Sequence, residues 1–282
     1  MPLFIQNGKF LELNSPSITI DNRGFRYGDG VFETIRYINH QPILIKEHLE
    51  RWWNGLELLG FEIPALLSAE RIEHEIQLLA KKNQHKNARI RLTGFRNIGG
   101  LYDVSDPKVS YSIESYPITP EISALNSNGL RVCLFDACIK AADAYSHTKN
   151  NNYLPYVLGA KHASNNHCND ALIFNQYGRI CDSTKANLFI IHQHQIITPP
   201  LEEGCIAGIM RKQLLHLLPE LGYSVSETPI SRELLFNADH IFLSNAIQVI
   251  RWVSFIDSKE YSLGPIHEIR TALRRTNPMV FC

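Results

Sequence analysis

The stretch Lys149-Asn-Asn-Asn152-Tyr153-Leu, followed by Asp170-Ala-Leu-Ile-Phe174, Gly178-Arg-Ile-Cys-Asp182 and Asn187-Leu-Phe189, decides how this chain is read. Residues 152–165 are expected to form a helix, and 170–175 a short apolar strand. Asn175-Gln-Tyr-Gly178 reads as a tight turn between strands, because Asn and Gly accept the backbone angles such turns require. Residues 187–191 read as a further strand. One lysine, Lys149, thus stands just before a helix, and one carboxylate, Asp182, stands on a strand beyond it.

Outward from that stretch, the N-terminal half reads as α+β. Residues 2–13 alternate apolar and polar around Asn7-Gly8, the pattern of a hairpin with a type I′ turn. A strand is expected over 31–37, a turn at Asn39-His-Gln-Pro42, and a return through Ile43-Leu-Ile45. Lys46–Leu59 has helical periodicity and stops at Gly60. Ser68–Lys82 reads as a second amphipathic helix with Ser68 as its N-cap. Residues 88–95 and 108–116 read as strands. The expected organisation is an N-terminal α+β domain over 1–116, a Pro-, Ser- and Asn-rich linker over 117–129, and a C-terminal α/β domain over 130–282. The second domain is expected to hold strands at 130–135, 170–175, 187–191 and 240–244, with helices at 152–165, 207–221 and 264–275.

At 282 residues the chain can bury a large core in two domains. Its 28 basic and 28 acidic side chains cancel, which argues against a sequence-independent grip on nucleic acid. No apolar run approaches membrane-spanning length, and Met-Pro-Leu-Phe-Ile-Gln-Asn-Gly lacks the basic n-region and apolar core of a signal peptide. A cytoplasmic location with no membrane contact is the expectation. The six cysteines (133, 138, 168, 181, 205 and 282) form no CxxC and are expected as buried small apolar side chains. His192-Gln-His194, and His162 with His167, lack nearby ligands at metal spacing, so no metal site is expected.

A cofactor with an aldehyde and a protonatable ring nitrogen needs a lysine to capture the first and a carboxylate to hold the second. By residue type alone, Lys149 is no better a candidate than Lys140, Lys161 or Lys185, and each reads as an ordinary solvated lysine. The order and spacing of residues 149–189 resemble the fold-type IV pyridoxal-phosphate enzymes, or class IV aminotransferases. That family includes branched-chain aminotransferases, D-amino-acid aminotransferases and aminodeoxychorismate lyases. The resemblance implies a two-domain α/β fold of the D-amino-acid aminotransferase type, with pyridoxal 5′-phosphate between the domains. It implies that Lys149, three residues before Asn152, is the catalytic Schiff-base lysine. It further implies that Tyr153 hydrogen-bonds the cofactor's phenolic oxygen and that Asp182 meets its ring nitrogen. Asp182 stands where the family has Glu, one methylene longer, so an Asp182→Glu exchange is expected to keep or raise activity if Asp182 faces the ring nitrogen.

Other matched segments follow the family's order. Gly208-Ile209-Met210-Arg211 opens a helix, where free amides and the helix dipole suit an anion, and it resembles the family's phosphate loop. Arg51, in His48-Leu-Glu-Arg51, matches the phosphate arginine, and Asn245-Ala246, after Ser244, matches the third phosphate element. Arg23-Gly-Phe-Arg-Tyr27-Gly28-Asp-Gly30-Val-Phe32-Glu-Thr34 resembles the N-terminal signature, making Tyr27 and Phe32 candidates for the substrate side. Arg89 and Arg91 share a strand face with Thr93, and Ile90 and Leu92 lie opposite. Arg91 matches a substrate-carboxylate arginine of the branched-chain enzymes. Asn97-Ile-Gly-Gly-Leu-Tyr102 resembles a loop of aminodeoxychorismate lyases, with Leu101 in place of an arginine often found there.

The resemblance therefore implies an enzyme on a small amine or carboxylate substrate, working as a homodimer. Gly99-Gly100, Met210 and Asn245-Ala246 favour a 4-amino-4-deoxychorismate lyase, giving 4-aminobenzoate and pyruvate for folate biosynthesis. An L-amino-acid aminotransferase of the branched-chain type is the alternative. A non-catalytic pyridoxal-phosphate-binding protein is a third reading, motivated by Asp182 alone.

Overall fold

Asn7 and Gly8 both adopt the left-handed backbone (φ 49° and 81°), which closes a two-residue turn between β1 (Leu3–Gln6) and β2 (Lys9–Glu12). A short helix, α1 (Arg23–Tyr27), leads into β3 (Gly30–Ile38). A second such turn follows, where Asn39 and His40 sit at φ 50° and 66° and return the chain through β4 (Gln41–Pro42). The return is therefore shorter than the sequence suggests: Leu44 turns left-handed and Ile45 already begins α2 (Ile45–Leu58). Ser68 caps α3 (Ala69–Lys82), its hydroxyl accepting from the Arg71 amide. β5 (Ala88–Arg96) and β6 (Val109–Pro117) complete an antiparallel six-stranded sheet ordered β2-β1-β6-β5-β3-β4.

The computed structural model describes residues 1–281, and they divide into two compact units. The first unit is Met1–Ile122 with Thr148–Asn152. Its core forms where Val31, Ile35, Ile90 and Leu92 pack with Trp52 and Leu56 of α2 and Ile72 and Ile76 of α3. Period-two alternation puts Phe32, Thr34 and Arg36 on the opposite sheet face. The segment Thr148–Asn152, which the sequence reading assigned to the C-terminal domain, belongs instead to this unit. It runs beside the start of β3: Val31 bridges Asn150, and the Phe32 amide donates to the Lys149 carbonyl at 2.9 Å. The change between units falls at Ile122/Ser123, inside the expected linker.

The second unit, Ser123–His147 and Tyr153 onward, is built on a nine-stranded mixed sheet. In chain order it contains β7 (Leu130–Lys140), α4 (Leu154–Asn165), β8 (Asp170–Asn175), β9 (Ile180–Ser183), β10 (Asn187–His192) and β11 (Gln195–Thr198). Then come α5 (Ile209–Glu220), β12 (Ser224–Glu227), α6 (Arg232–Asn237), β13 (His240–Asn245), β14 (Val249–Ile256), β15 (Lys259–Glu260), α7 (Ile266–Thr276) and α8 (Pro278–Phe281). The strand order is β12-β11-β10-β13-β14-β7-β8-β9, with β15 on β14. Every residue of β8 is buried, which explains its nearly unbroken apolar run. Ala171 and Ile173 face a core shared with Tyr156 and Ala163 of α4, while Leu172 and Phe174 face a second core that includes Leu235 of α6.

Three of the cysteines, Cys133, Cys181 and Cys205, are buried as expected, whereas Cys138 and Cys168 are half-buried; Cys282 lies outside the described residues. Among the described residues no helix is long and apolar enough to cross a membrane, and no cluster of side chains could hold a metal ion.

Candidate active site

In the first unit, Phe32 gathers the candidate residues. Its ring carries the Lys149 ammonium 4.5 Å from the centroid and the Arg91 guanidinium 3.9 Å from it. The register pairs Thr34 with Arg91 and Arg36 with Arg89, and on the other side of β5 it pairs Arg91 with Glu114 and Arg89 with Tyr116. Directly paired antiparallel residues share a face. This face therefore holds three guanidiniums (Arg36, Arg89 and Arg91) against one carboxylate, Glu114, beside Phe32 and its lysine. Arg36 is buried, Arg91 half-buried and Arg89 exposed, stacked on Tyr116 at 5.2 Å.

Arg51 lies on α2, and the Val31 side of β3 fixes it. Its Nε and Nη2 donate to the two oxygens of Glu33 at 2.7 and 2.6 Å, while His48 Nδ1 lies 2.7 Å from Oε2. Burial raises the Glu33 carboxyl, but Arg51 and His48 outweigh it and bring the group down to about 2. Burial lowers His48 more strongly than Glu33 raises it, so near neutral pH His48 is uncharged and donates an ordinary hydrogen bond. The ion pair is that of Arg51 with Glu33. Neither Glu33 nor His48 was among the candidates; the helical spacing of His48 and Arg51, three residues apart, was the available signal.

Tyr27 stands apart from that cluster. Its ring packs 5.8 Å from the exposed Tyr102, with the Arg23 guanidinium 5.2 Å above it. Arg23 itself is buried, and its Nη1 donates to three carbonyls of one loop: Gly99 at 3.2 Å, Leu101 at 3.1 Å and Asp103 at 3.1 Å. Asp29 bridges Arg23 and Arg96 through one carboxylate oxygen, 3.0 Å from each Nε.

In the second unit, a chain of contacts links the remaining candidates. Tyr153 caps α4 and stacks on Tyr156 with ring centroids 4.4 Å apart. The Tyr156 hydroxyl donates to Asp182 Oδ2 at 3.0 Å, the Ile206 amide donates to the same oxygen at 2.8 Å, and Asn187 Nδ2 donates to Oδ1 at 2.9 Å. Lys140 Nζ lies 3.5 Å from Oδ2. Burial pushes the Asp182 carboxyl up, Lys140 and the hydrogen bonds pull against it, and the net direction is upward. Burial also drives the Tyr156 hydroxyl well above its ordinary range, so it remains a donor.

Asn187 leads on to Gly208 and the start of α5. A Cβ at Gly208 would lie 2.0 Å from Asn187 Oδ1, so only glycine fits there. Gly208 is the N-cap of α5 and no side chain caps it, leaving the first amides of the helix for another acceptor. Ile209 and Met210 bury their side chains, so what they can present is backbone N–H. Ser244 pairs with Asn187 across β13 and β10, and its buried hydroxyl has no hydrogen-bond partner among the described residues. Asn245 and Ala246 follow, with Asn245 Oδ1 accepting from the Ile247 and Gln248 amides. The turn ends at Val249, buried at φ 64°, a strained angle for a β-branched residue.

The second unit thus holds a helix N-terminus without a side-chain cap, an unpartnered buried hydroxyl among the described residues, and a buried carboxylate on the same sheet. The family model for class IV amino-transferases matches residues 30–256. The chain belongs to the class IV aminotransferases. Class IV aminotransferases are pyridoxal 5′-phosphate enzymes, and this protein is an enzyme of that kind. It is 26% identical to the branched-chain-amino-acid aminotransferase of Escherichia coli K12 over 280 residues, covering 92% of this chain and 87% of the relative. It is also 26% identical to the aminodeoxychorismate lyase of Vibrio harveyi over 262 residues, covering 91% and 94%. The crystal structure of the Thermoproteus uzoniensis branched-chain aminotransferase with norvaline shares the fold, with a TM-score of 0.88 at 24% identity over 99% of this chain and 94% of that one.

Several residues that shape this class IV site were not legible beforehand. Lys140 was one of four interchangeable lysines, and only the fold reveals that it is buried against Asp182. Tyr156 is a common residue in apolar surroundings, with no spacing to mark it.

Proposed function

We propose that this class IV enzyme is an aminodeoxychorismate lyase, releasing 4-aminobenzoate and pyruvate. The observation that carries the reading is the charge of the Phe32 face, three guanidiniums against one carboxylate. Aminodeoxychorismate bears two carboxylates, which suit two guanidiniums side by side on one strand face. A branched-chain amino acid has one carboxylate and an apolar side chain, and calls for one such contact.

The residues of the second unit fit the cofactor. The uncapped α5 amides, the Gly208 cradle and the orphaned Ser244 hydroxyl suit its phosphate, together with Asn245 and Ala246. In the first unit, Arg51 is the guanidinium proposed for the phosphate. When bound, pyridoxal 5′-phosphate supplies the electron sink for bond breaking at the substrate carbon. Lys149 is the amine that would hold the cofactor, and its Nζ would take and return the substrate proton. Arg89 and Arg91 bind the substrate carboxylates, Phe32 packs the ring region, and Tyr27 borders the substrate. Tyr153 hydrogen-bonds the cofactor hydroxyl, and Asp182 holds the ring nitrogen's proton. Leu154 and Val157 on α4 are exposed at 64% and 58%, an apolar face suited to burial against a second copy in a cytoplasmic homodimer.

The second reading, an L-amino-acid aminotransferase of the branched-chain type, is favoured by Arg91 alone sharing the Phe32 ring with Lys149, one cation for one carboxylate. A single-turnover assay with aminodeoxychorismate, reading 4-aminobenzoate and pyruvate together, tests the proposal. Equal amounts of both products support the lyase. Absence of both, with keto-acid formation from leucine or valine, replaces it with the aminotransferase.

A further inference from the structure

We infer that Lys140 is a positioning residue whose ammonium keeps the buried Asp182 carboxylate ionised and turned toward its hydrogen-bond donors. The inference concerns the state of one carboxylate and is the same for a lyase and an aminotransferase.

Lys140 ends β7 and Asp182 lies on β9, with β8 between them in the sheet. Both side chains are nearly sealed, at 10% and 2% exposure. Lys140 Nζ makes no hydrogen bond among the described residues; it meets Asp182 Oδ2 at 3.5 Å and stands 5.1 Å over the Tyr156 ring. A buried ammonium is tolerated only beside compensating charge, and Asp182 is the anion it faces. The three hydrogen-bond donors on Asp182 are an amide side chain, a phenol and a backbone N–H, so they aim the carboxylate without adding net charge. The other titratable groups around it are also neutral. Burial raises the Tyr156 hydroxyl and the Cys181 thiol, and pushes the Cys205 thiol up to about 12. Lys140 is thus the charged counterweight to the burial of Asp182. A protonated Asp182 would offer a donor where an acceptor is needed and could not hold a cationic ring nitrogen.

The position also accounts for the shorter side chain. An Asp at this depth reaches less far than Glu, and the space around its second oxygen is taken by Tyr156, Ile206 and Lys140.

The test is isotope-edited infrared or NMR spectroscopy of holoenzyme carrying 13C-labelled aspartate, with Asp182→Asn identifying the signal. At pH 7 the wild-type carboxyl is expected in its ionised form. Lys140→Met and Lys140→Gln are expected to convert it to the protonated form, and Lys140→Arg to restore the ionised signal. An Asp182 signal that stays ionised in both uncharged variants overturns the inference. Should those variants fail to fold, the reciprocal measurement decides: the 15N signal of the Lys140 side chain in wild type and Asp182→Asn. Losing its anion should change that signal, and an unchanged signal overturns the pairing.

Discussion

Phe32 holds Lys149 at both ends: its amide donates to the Lys149 carbonyl at 2.9 Å, and its ring lies 4.5 Å from the Lys149 ammonium. The backbone contact places the residue and the ring fixes the side chain's direction. A cation over an aromatic face is stabilised by about 0.5–2 kcal/mol. Phe32→Leu should keep the strand pairing and lose the ring. Because the ring stabilises the ammonium, which cannot attack an aldehyde, capture of pyridoxal phosphate by the cofactor-free protein should speed up by roughly 2- to 30-fold on that energy scale, measured by stopped-flow absorbance. Lys149→Ala should abolish both capture and turnover. Unchanged capture kinetics in Phe32→Leu would show that the ring does not stabilise the ammonium.

Glu33 should make stability depend on acid pH. Its carboxyl sits at about 2 in the folded protein against an ordinary value of 4.5. A depressed folded value means that the stabilisation is complete above the ordinary value and lost as pH falls toward the folded one. Denaturant melts should therefore show a stability slope between these two pH values that is missing in Glu33→Gln. The variant also removes the anion from the Arg51–Glu33 ion pair, so its stability should be lower near neutral pH. Equal slopes in the two proteins would contradict the assignment.

Asp182→Glu reverses the expectation formed from sequence. Asp182 is buried with donors on both oxygens, so an added methylene meets Tyr156, Asn187 and the Ile206 backbone. Overpacking of this kind costs about 1–3 kcal/mol, and activity should fall with the melting temperature. A variant as stable and active as wild type would mean that the surroundings yield.

Gly208→Ala places a methyl 2.0 Å from Asn187 Oδ1. Either Asn187 swings away from Asp182 or the start of α5 shifts. Both outcomes should weaken cofactor affinity at least tenfold in equilibrium dialysis, and undiminished binding would argue that the cradle lies elsewhere.

Arg91→Leu should raise KM for the carboxylate substrate more than it lowers kcat, because charge-assisted contacts to a carboxylate contribute about 1.5–3 kcal/mol. Steady-state kinetics on the turned-over substrate checks this. A drop in kcat alone would place Arg91 in the chemistry and not in binding.

Elements with one strong local signal were legible in the sequence. The Asn7-Gly8 turn, the Ser68 cap and the wholly buried strand Asp170–Asn175 stand where their residues place them. The short β9 and the strand Val249–Ile256 carry no comparable pattern, since their pairing comes from partners far along the chain. Lys149 is nominated by the family resemblance, but its packing against Phe32 depends on a segment that leaves its sequence neighbours to pair with β3. Lys140 shows the limit most plainly. Burial and an ion pair across an intervening strand are properties of the sheet order, which no local window contains.

Arg23 grips the loop at residues 99–103 by carbonyl oxygens alone. Such a clasp is blind to side chains. Leu101, whose side chain is exposed, can therefore be exchanged for other residues while the loop's path is retained, since the clasp holds only its carbonyl. Variation at that position can accumulate without renegotiating the scaffold.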